Sequence, residues 1–201
     1  MNNYSFIFAP VRPKDEAKIE AIYKATLSLV KERGLAGITM GDISKAASIA
    51  TGTLYIYFKN KEELIKELFW ECRQQSSLQY FTDVDSTAPF EERMQQIFQN
   101  IIRYKMLNFE VSAFLEQTYH SPFVCMTDLQ KKEKALAPFF GLLREGIKSQ
   151  KIKDLDPELL ISFMFGVINE LVKKTYFSKK KLSPDTINQL YTIFWDGIKL
   201  Q

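Results

Sequence analysis

Ile19, Ile22, Tyr23, Thr26, Leu27 and Val30 recur at three- and four-residue steps, with Lys18, Lys24 and Lys31 off that face. This spacing buries one stripe of a helix and does not fit the two-residue period of a strand. The same rhythm runs through nearly the whole chain, and strand-like alternation competes nowhere. With 8 Gly and 7 Pro in 201 residues, little interrupts it. The predicted fold class is all-α, with about nine helices.

Local signals divide the chain. Gly34 stops the first helix. Thr39 with Asp42 reads as a capping box for a short second helix, and a third fits "GTLYIYF". Asn60 with Glu63 opens a longer fourth helix, in which Leu64, Leu68 and Cys72 align at four-residue steps. Further helices are predicted from near Pro89 through Leu107 and from about Phe109 to Tyr119, and Ser121-Pro122 opens another segment. Pro138 either kinks or starts the next helix. Asp156-Pro157 and Ser183-Pro184 each pair an N-cap with proline at the first helical position. They open helices over 157–176 and 184–199. The expected organisation is a flexible arm over 1–13, a three-helix unit over 14–60, and a larger helical unit over 61–201, joined through the long fourth helix.

Two short helices, 39–47 and 51–57, joined by "SIAT", have the spacing of a helix-turn-helix. In that motif the second helix enters the major groove with its N-terminal residues toward base edges. Thr51 and Thr53 stand near that end, and Gly52 between them lets backbone come close to DNA. Tyr55 and Tyr57 can reach phosphate oxygens, and Lys59 and Lys61 are placed to flank the backbone. Leu54 and Phe58 face inward with Ile43 and Ala47. From 39 to 61 the cations are Lys45, Lys59 and Lys61, and the only anion is Asp42. The net charge of +3 is too small to announce a nucleic-acid partner by itself.

"GITMGDISKAASIATGTLYIYFKNKEEL", extended back to "IYKATLSLVKERG", resembles the DNA-binding domain of the TetR family of bacterial transcriptional regulators. The resemblance covers roughly residues 17–70; the rest is similar in layout. It implies a homodimer on a palindromic double-stranded DNA operator, with a small-molecule effector that releases it. It also implies DNA contacts from Thr39, Thr51, Gly52, Thr53, Tyr55, Tyr57, Lys59 and Lys61, to which local charge adds Lys45. Repression is the family's usual habit. Two positions depart from the pattern. Gly41 stands where many members carry a polar or basic side chain, and Ser48 replaces the glycine common in the turn.

The middle helices supply more aromatic surface than a small core needs. Phe69, Phe98, Ile101, Phe114, Phe123 and Phe140 are candidate pocket walls, with Tyr104, Tyr119, His120 and Asn169 as polar anchors. Glu110 and Glu116 leave a cationic ligand open. The fourth helix would begin beside the DNA reader and end against this aromatic cluster, so a ligand near Phe69 would tilt it. The last two helices carry broad apolar stripes that a symmetric interface would bury. Phe163, Gly166, Val167, Tyr191, Phe194, Trp195 and Ile198 are the expected dimerisation residues.

No GxSxG, P-loop, dinucleotide or metal motif is present, and His120 is the only histidine. Enzymatic activity and cofactors are therefore not expected. Cys72 and Cys125 read as buried thiols of a reducing compartment. "FIFAPV" is too short for a signal core, and no run approaches a membrane span. The expectation is a cytoplasmic protein without a membrane partner. Arg12 and Lys14 give the arm a possible place in a DNA groove. The competing function is a DNA-binding regulator or architectural protein controlled by a protein partner, with no small-molecule inducer.

Overall fold

The computed structural model describes residues 13–119, 121–124 and 129–200, with the side chains of 13–15 and 129–133 left aside. Residues 1–12 of the expected arm therefore lie outside the described residues, as do His120 and Cys125, while Pro13 already belongs to the first helix. Among the described residues there are nine helices. They are α1 (Pro13–Arg33), α2 (Met40–Ala46), α3 (Thr51–Tyr57), α4 (Lys61–Tyr80), α5 (Phe90–Leu107), α6 (Phe109–Tyr119), α7 (Leu129–Lys148), α8 (Pro157–Ser178) and α9 (Pro184–Ile198). The only extended pairing among them is an isolated bridge between Ile152 and Lys199.

The capping signals operate as physical chemistry requires. The Thr39 hydroxyl accepts the Asp42 N–H at 3.1 Å, and the Asp42 carboxylate accepts the Thr39 N–H at 2.9 Å, which completes a capping box. The Asn60 side-chain oxygen Oδ1 accepts the Glu63 N–H at 2.8 Å. The Glu63 carboxylate reaches back one residue further than the box predicts, to the Lys59 N–H. Asp156 and Ser183 cap α8 and α9, each followed by proline in the first turn. Helix α7 runs on through Pro138 rather than starting there.

The chain forms two compact units. The first comprises residues up to Gln75 together with Glu110–Asp128. It extends past the boundary expected at residue 60, because Leu64, Ile65, Leu68, Phe69 and Cys72 of α4 are buried in one core with Ile22, Val30, Ile43 and Leu54. Val111 and Phe114 of α6 complete that core. Within it the Leu35 N–H donates to the Gln117 side-chain oxygen at 3.1 Å, and Lys31 pairs with Glu110 at 2.9 Å.

The second unit comprises Ser76–Phe109 and Leu129–Gln201. Its core is strongly aromatic. Phe98 stacks on Phe194 with centroids 5.3 Å apart, and Tyr191 lies edge-on to Phe98 at 5.5 Å. The Tyr191 hydroxyl donates to the Glu91 carbonyl at 2.9 Å, which satisfies the one polar atom this ring carries inward. Asn100 donates to the carbonyls of Tyr80 and Thr82, and Arg93 forks onto Glu145.

Candidate nucleic-acid interface and effector site

In the first unit α2 and α3 form the two arms of the turn. Ser48 between them adopts φ of 56°, the left-handed conformation for which glycine is the usual choice. The Ile49 N–H returns to the Ser44 carbonyl at 3.0 Å, and the Ser44 and Thr51 hydroxyls meet at 2.9 Å across the turn. The turn thus keeps its geometry without glycine, through a side-chain bond that the sequence pattern does not signal.

Helix α3 divides cleanly by face. Leu54 and Phe58 are buried, and the Phe58 ring packs 5.9 Å from that of Tyr23. Thr51, Gly52, Tyr55 and Ile56 are exposed, and Thr53 and Tyr57 are half-buried. A Cβ added to Gly52 would meet no atom within 4 Å, so nothing in the protein's own packing requires glycine there. Ile56 is 80% exposed, an apolar side chain on the outer face that the motif does not single out. Lys45 and Lys59 are exposed to either side. Thr39 is exposed but committed to its capping box.

Lys61 is different. Its ammonium donates to the carbonyls of Leu35 and Ile38, both at 2.7 Å, and lies over the Phe123 ring at 5.6 Å. Burial holds its pKa below the usual lysine value. The expected phosphate contact is therefore not available to it: the nitrogen already joins α4 to the α1–α2 connection.

Of the ten residues predicted for a ligand pocket, the nine that are described fall in both units. Phe69 and Phe114 are fully buried in the first, where Phe123 is half-buried and Tyr119 exposed. Phe98 and Ile101 are fully buried in the second, where Tyr104, Phe140 and Asn169 are half-buried. Phe98 fills the aromatic core described above, so it has a packing role. Tyr104 accepts a bond from Ser76 at 3.4 Å and lies edge-on to Tyr80 at 5.4 Å. Glu110 is engaged by Lys31, which removes it as a ready anchor for a cation. His120 lies outside the described residues.

The predicted interface residues also separate. Phe163 and Gly166 are exposed and Val167 is half-buried. Tyr191, Phe194, Trp195 and Ile198 are buried inside their own unit. The apolar residue that α9 presents outward is instead Ile193, and Leu159 lies one turn before Phe163 on α8. Phe163 packs on Phe194 at 5.6 Å, and a Cβ on Gly197 would meet its ring at 3.3 Å. Glycine there lets the ring cross α9.

Cys72 is a free thiol whose pKa burial pushes well up, so it is not poised as a nucleophile. Among the described residues no group of His, Cys, Asp and Glu could hold a metal ion, and no helix is long and apolar enough to cross a membrane.

An all-helical chain with this helix-turn-helix, its basic flanks and a second helical unit defines a DNA-binding transcriptional regulator. Residues 22–68 match the family described as bacterial regulatory proteins, tetR family, and residues 89–199 match that of the tetracyclin repressor-like C-terminal domain. An HTH-type transcriptional regulator from Haemophilus influenzae is 34% identical over 180 residues, spanning 90% of this chain and 95% of that protein. The chain belongs to the tetR family. A TetR family regulator from Marinobacter aquaeolei has the same fold, with a TM-score of 0.87 at 24% identity over 95% of this chain and all of that one. The regulator FadR from Bacillus subtilis, solved with stearoyl-CoA, matches with a TM-score of 0.70 at 26% identity. That match covers 89% of this chain and 98% of FadR.

Proposed function

We propose that this chain is a cytoplasmic homodimeric repressor that binds a palindromic operator through α3 and is released by a small apolar or amphipathic ligand. The observation that carries the reading is the division of α3. Its buried face anchors the helix, while Thr51, Gly52, Tyr55 and Ile56 face solvent beside exposed Lys45 and Lys59. The outer face offers hydroxyls to base edges or phosphate, an apolar group suited to a thymine methyl, and a bare backbone at Gly52. Thr53 and Tyr57 border that face, and the lysines supply the phosphate contacts.

Two copies are needed because a palindrome repeats the site about 34–36 Å along the duplex. The outward apolar residues Leu159, Phe163 and Ile193 of α8 and α9 are suited to a self-complementary interface. An amphipathic effector agrees with the relative FadR, solved with stearoyl-CoA, and with the surplus of aromatic side chains in both units. The effector must favour the DNA-incompetent state, with coupling of about 1–3 kcal/mol being the usual scale.

Fluorescence anisotropy on DNA from the promoter region of the protein's own gene tests the reading. Lys45→Ala or Lys59→Ala should weaken binding to all DNA and lower the salt slope by about one for each phosphate no longer neutralised. Thr51→Ala should change sequence preference. Binding that ignores salt and sequence alike would overturn the proposal.

A further inference from the structure

Helix α3 turns one line of residues directly away from its own unit. Leu54 is fully buried and marks the inward direction. At about 100° per residue, the positions two before and two after it both fall about 160° away, one on either side of the outermost direction. Those positions are Gly52 and Ile56, one turn apart on the same face. Thr53 and Tyr55, the immediate neighbours of Leu54, fall on the two flanks. The hydroxyl-bearing side chains therefore border the outer line rather than occupy it.

Ile56 is 80% exposed, more than any other large apolar side chain among the described residues, and it carries no hydrogen-bonding group. Gly52 is exposed, and a Cβ built on it would meet nothing within 4 Å. Alanine would fit there, and it is a far better helix former than glycine. Packing and helix stability within the protein thus give no reason for glycine at this position. The outer line of α3 is a bare backbone followed by a branched hydrocarbon, with the exposed cations Lys45 and Lys59 in the same unit.

The major groove sets what such a line can read. Every base edge there offers hydrogen-bond donors or acceptors, and thymine adds a C5-methyl group. An isoleucine answers only the methyl. It reaches that methyl only if the helix backbone lies close to the floor of the groove, and a Cβ one turn away on the same line would hold the helix off. We propose that Gly52 and Ile56 act as a pair: Gly52 lets α3 seat deeply, and Ile56 selects thymine by contact with its C5-methyl group, one thymine in each half-site. The inference rests on the operator-binding reading above and gives the operator a required base. Lys45 and Lys59 supply the charge match to phosphate, which makes duplex DNA, rather than an apolar partner, the occupant of this face.

Anisotropy with the full-length protein tests the pair. A duplex is first selected by the protein from a random pool. Each thymine is then replaced in turn by deoxyuridine, which removes the methyl and keeps the base pairing. One replacement in a half-site should weaken binding about fourfold, the scale of one buried methyl group. Replacement in both half-sites should weaken it roughly fifteenfold, because distant contacts add. In Ile56→Ala the same replacements should change nothing, while Ile56→Val should keep part of the effect. That dependence on the side chain separates a direct contact from a change in DNA shape. Gly52→Ala should melt at the same temperature or higher, yet bind the selected duplex roughly tenfold or more weakly, the scale of an overpacked contact.

A selected duplex whose affinity no uracil changes, or uracil effects that all persist in Ile56→Ala, would overturn the thymine contact and leave operator binding intact. Wild-type affinity in Gly52→Ala would overturn the pairing of the two residues. A selected site without two-fold symmetry, but with an Ile56-dependent thymine, would uphold the contact and refute the palindromic operator. A protein that enriches no sequence from the pool would overturn both.

Discussion

The ammonium nitrogen of Lys61 stands 2.7 Å from the carbonyl oxygens of both Leu35 and Ile38. Those carbonyls belong to the connection between α1 and α2, where backbone groups have no helical partner. The first residue of α4 therefore supplies what the loop lacks, and it holds the helix-turn-helix against the helix that follows. Lys61→Met keeps the apolar stem over Phe123 and removes the donors. It should cost about 2 kcal/mol, the scale of bonds to a charged group whose loss strands two carbonyls. Urea denaturation checks the cost. The salt slope of DNA binding should stay as in the wild type, in contrast to Lys45→Ala and Lys59→Ala. A reduced slope would return Lys61 to the phosphate backbone.

Acid should weaken the same unit through Asp42. Its carboxylate accepts the Thr39 hydroxyl at 2.6 Å and the Thr39 N–H at 2.9 Å, with Arg33 at 3.4 Å. These contacts favour the ionised form, led by the Thr39 hydroxyl, and hold its pKa below the usual 3.8. A depressed folded pKa means that the unfolded chain takes up the proton first. The contribution is therefore complete above 3.8 and is lost as pH falls through the lower, folded value. Asp42→Asn should flatten this part of the acid dependence while lowering stability near neutrality. Denaturation midpoints recorded from neutrality down past 3.8 give the comparison, and parallel curves for both proteins would refute the assignment.

Two left-handed residues offer stabilising changes. Ser48 has φ of 56° and Lys179, the C-cap of α8, has φ of 53°. A side chain in that region costs about 1–2 kcal/mol, and glycine returns about 0.5–1 kcal/mol of it as lost chain entropy. Lys179→Gly should stabilise the protein by about 0.5–1 kcal/mol. Ser48→Gly should do the same without disturbing the Ser44–Thr51 bond, because the serine hydroxyl plays no part in it. Thermal melts of the two variants measure this, and a lowered midpoint in both would show that the side chains carry interactions worth more than the strain.

Local chemistry is legible in the sequence, and long-range partnership is not. The caps at Thr39, Asn60, Asp156 and Ser183 each depend on residues within a few positions, and each forms. The inward pair Leu54 and Phe58 follows from helical spacing alone. Lys61, by contrast, bonds carbonyls 26 and 23 positions earlier, and nothing around it in sequence announces them. On α9 the spacing of Tyr191, Phe194, Trp195 and Ile198 marks an apolar face, but periodicity cannot say whether that face meets its own chain or a second copy.

That ambiguity on α9 yields a sharp mutational contrast. Phe194 is 1% exposed and stacked on Phe98, so Phe194→Ala should destabilise the protein by about 3–5 kcal/mol through the cavity it leaves. Ile193, its neighbour, is 66% exposed, so Ile193→Glu should cost a monomer almost nothing. If α8 and α9 pack against a second copy, the new carboxylate is buried there without a partner, at a cost of about 3–5 kcal/mol. Ile193→Glu should then turn a dimer into a folded monomer by light scattering, with helical content retained by circular dichroism. Operator affinity should fall with it, because two recognition helices must dock together. A wild-type protein that is monomeric at micromolar concentration, or an Ile193→Glu protein that stays dimeric, would remove this face as the interface. In the second case the exposed stripe through Leu159 and Phe163 would need a different occupant.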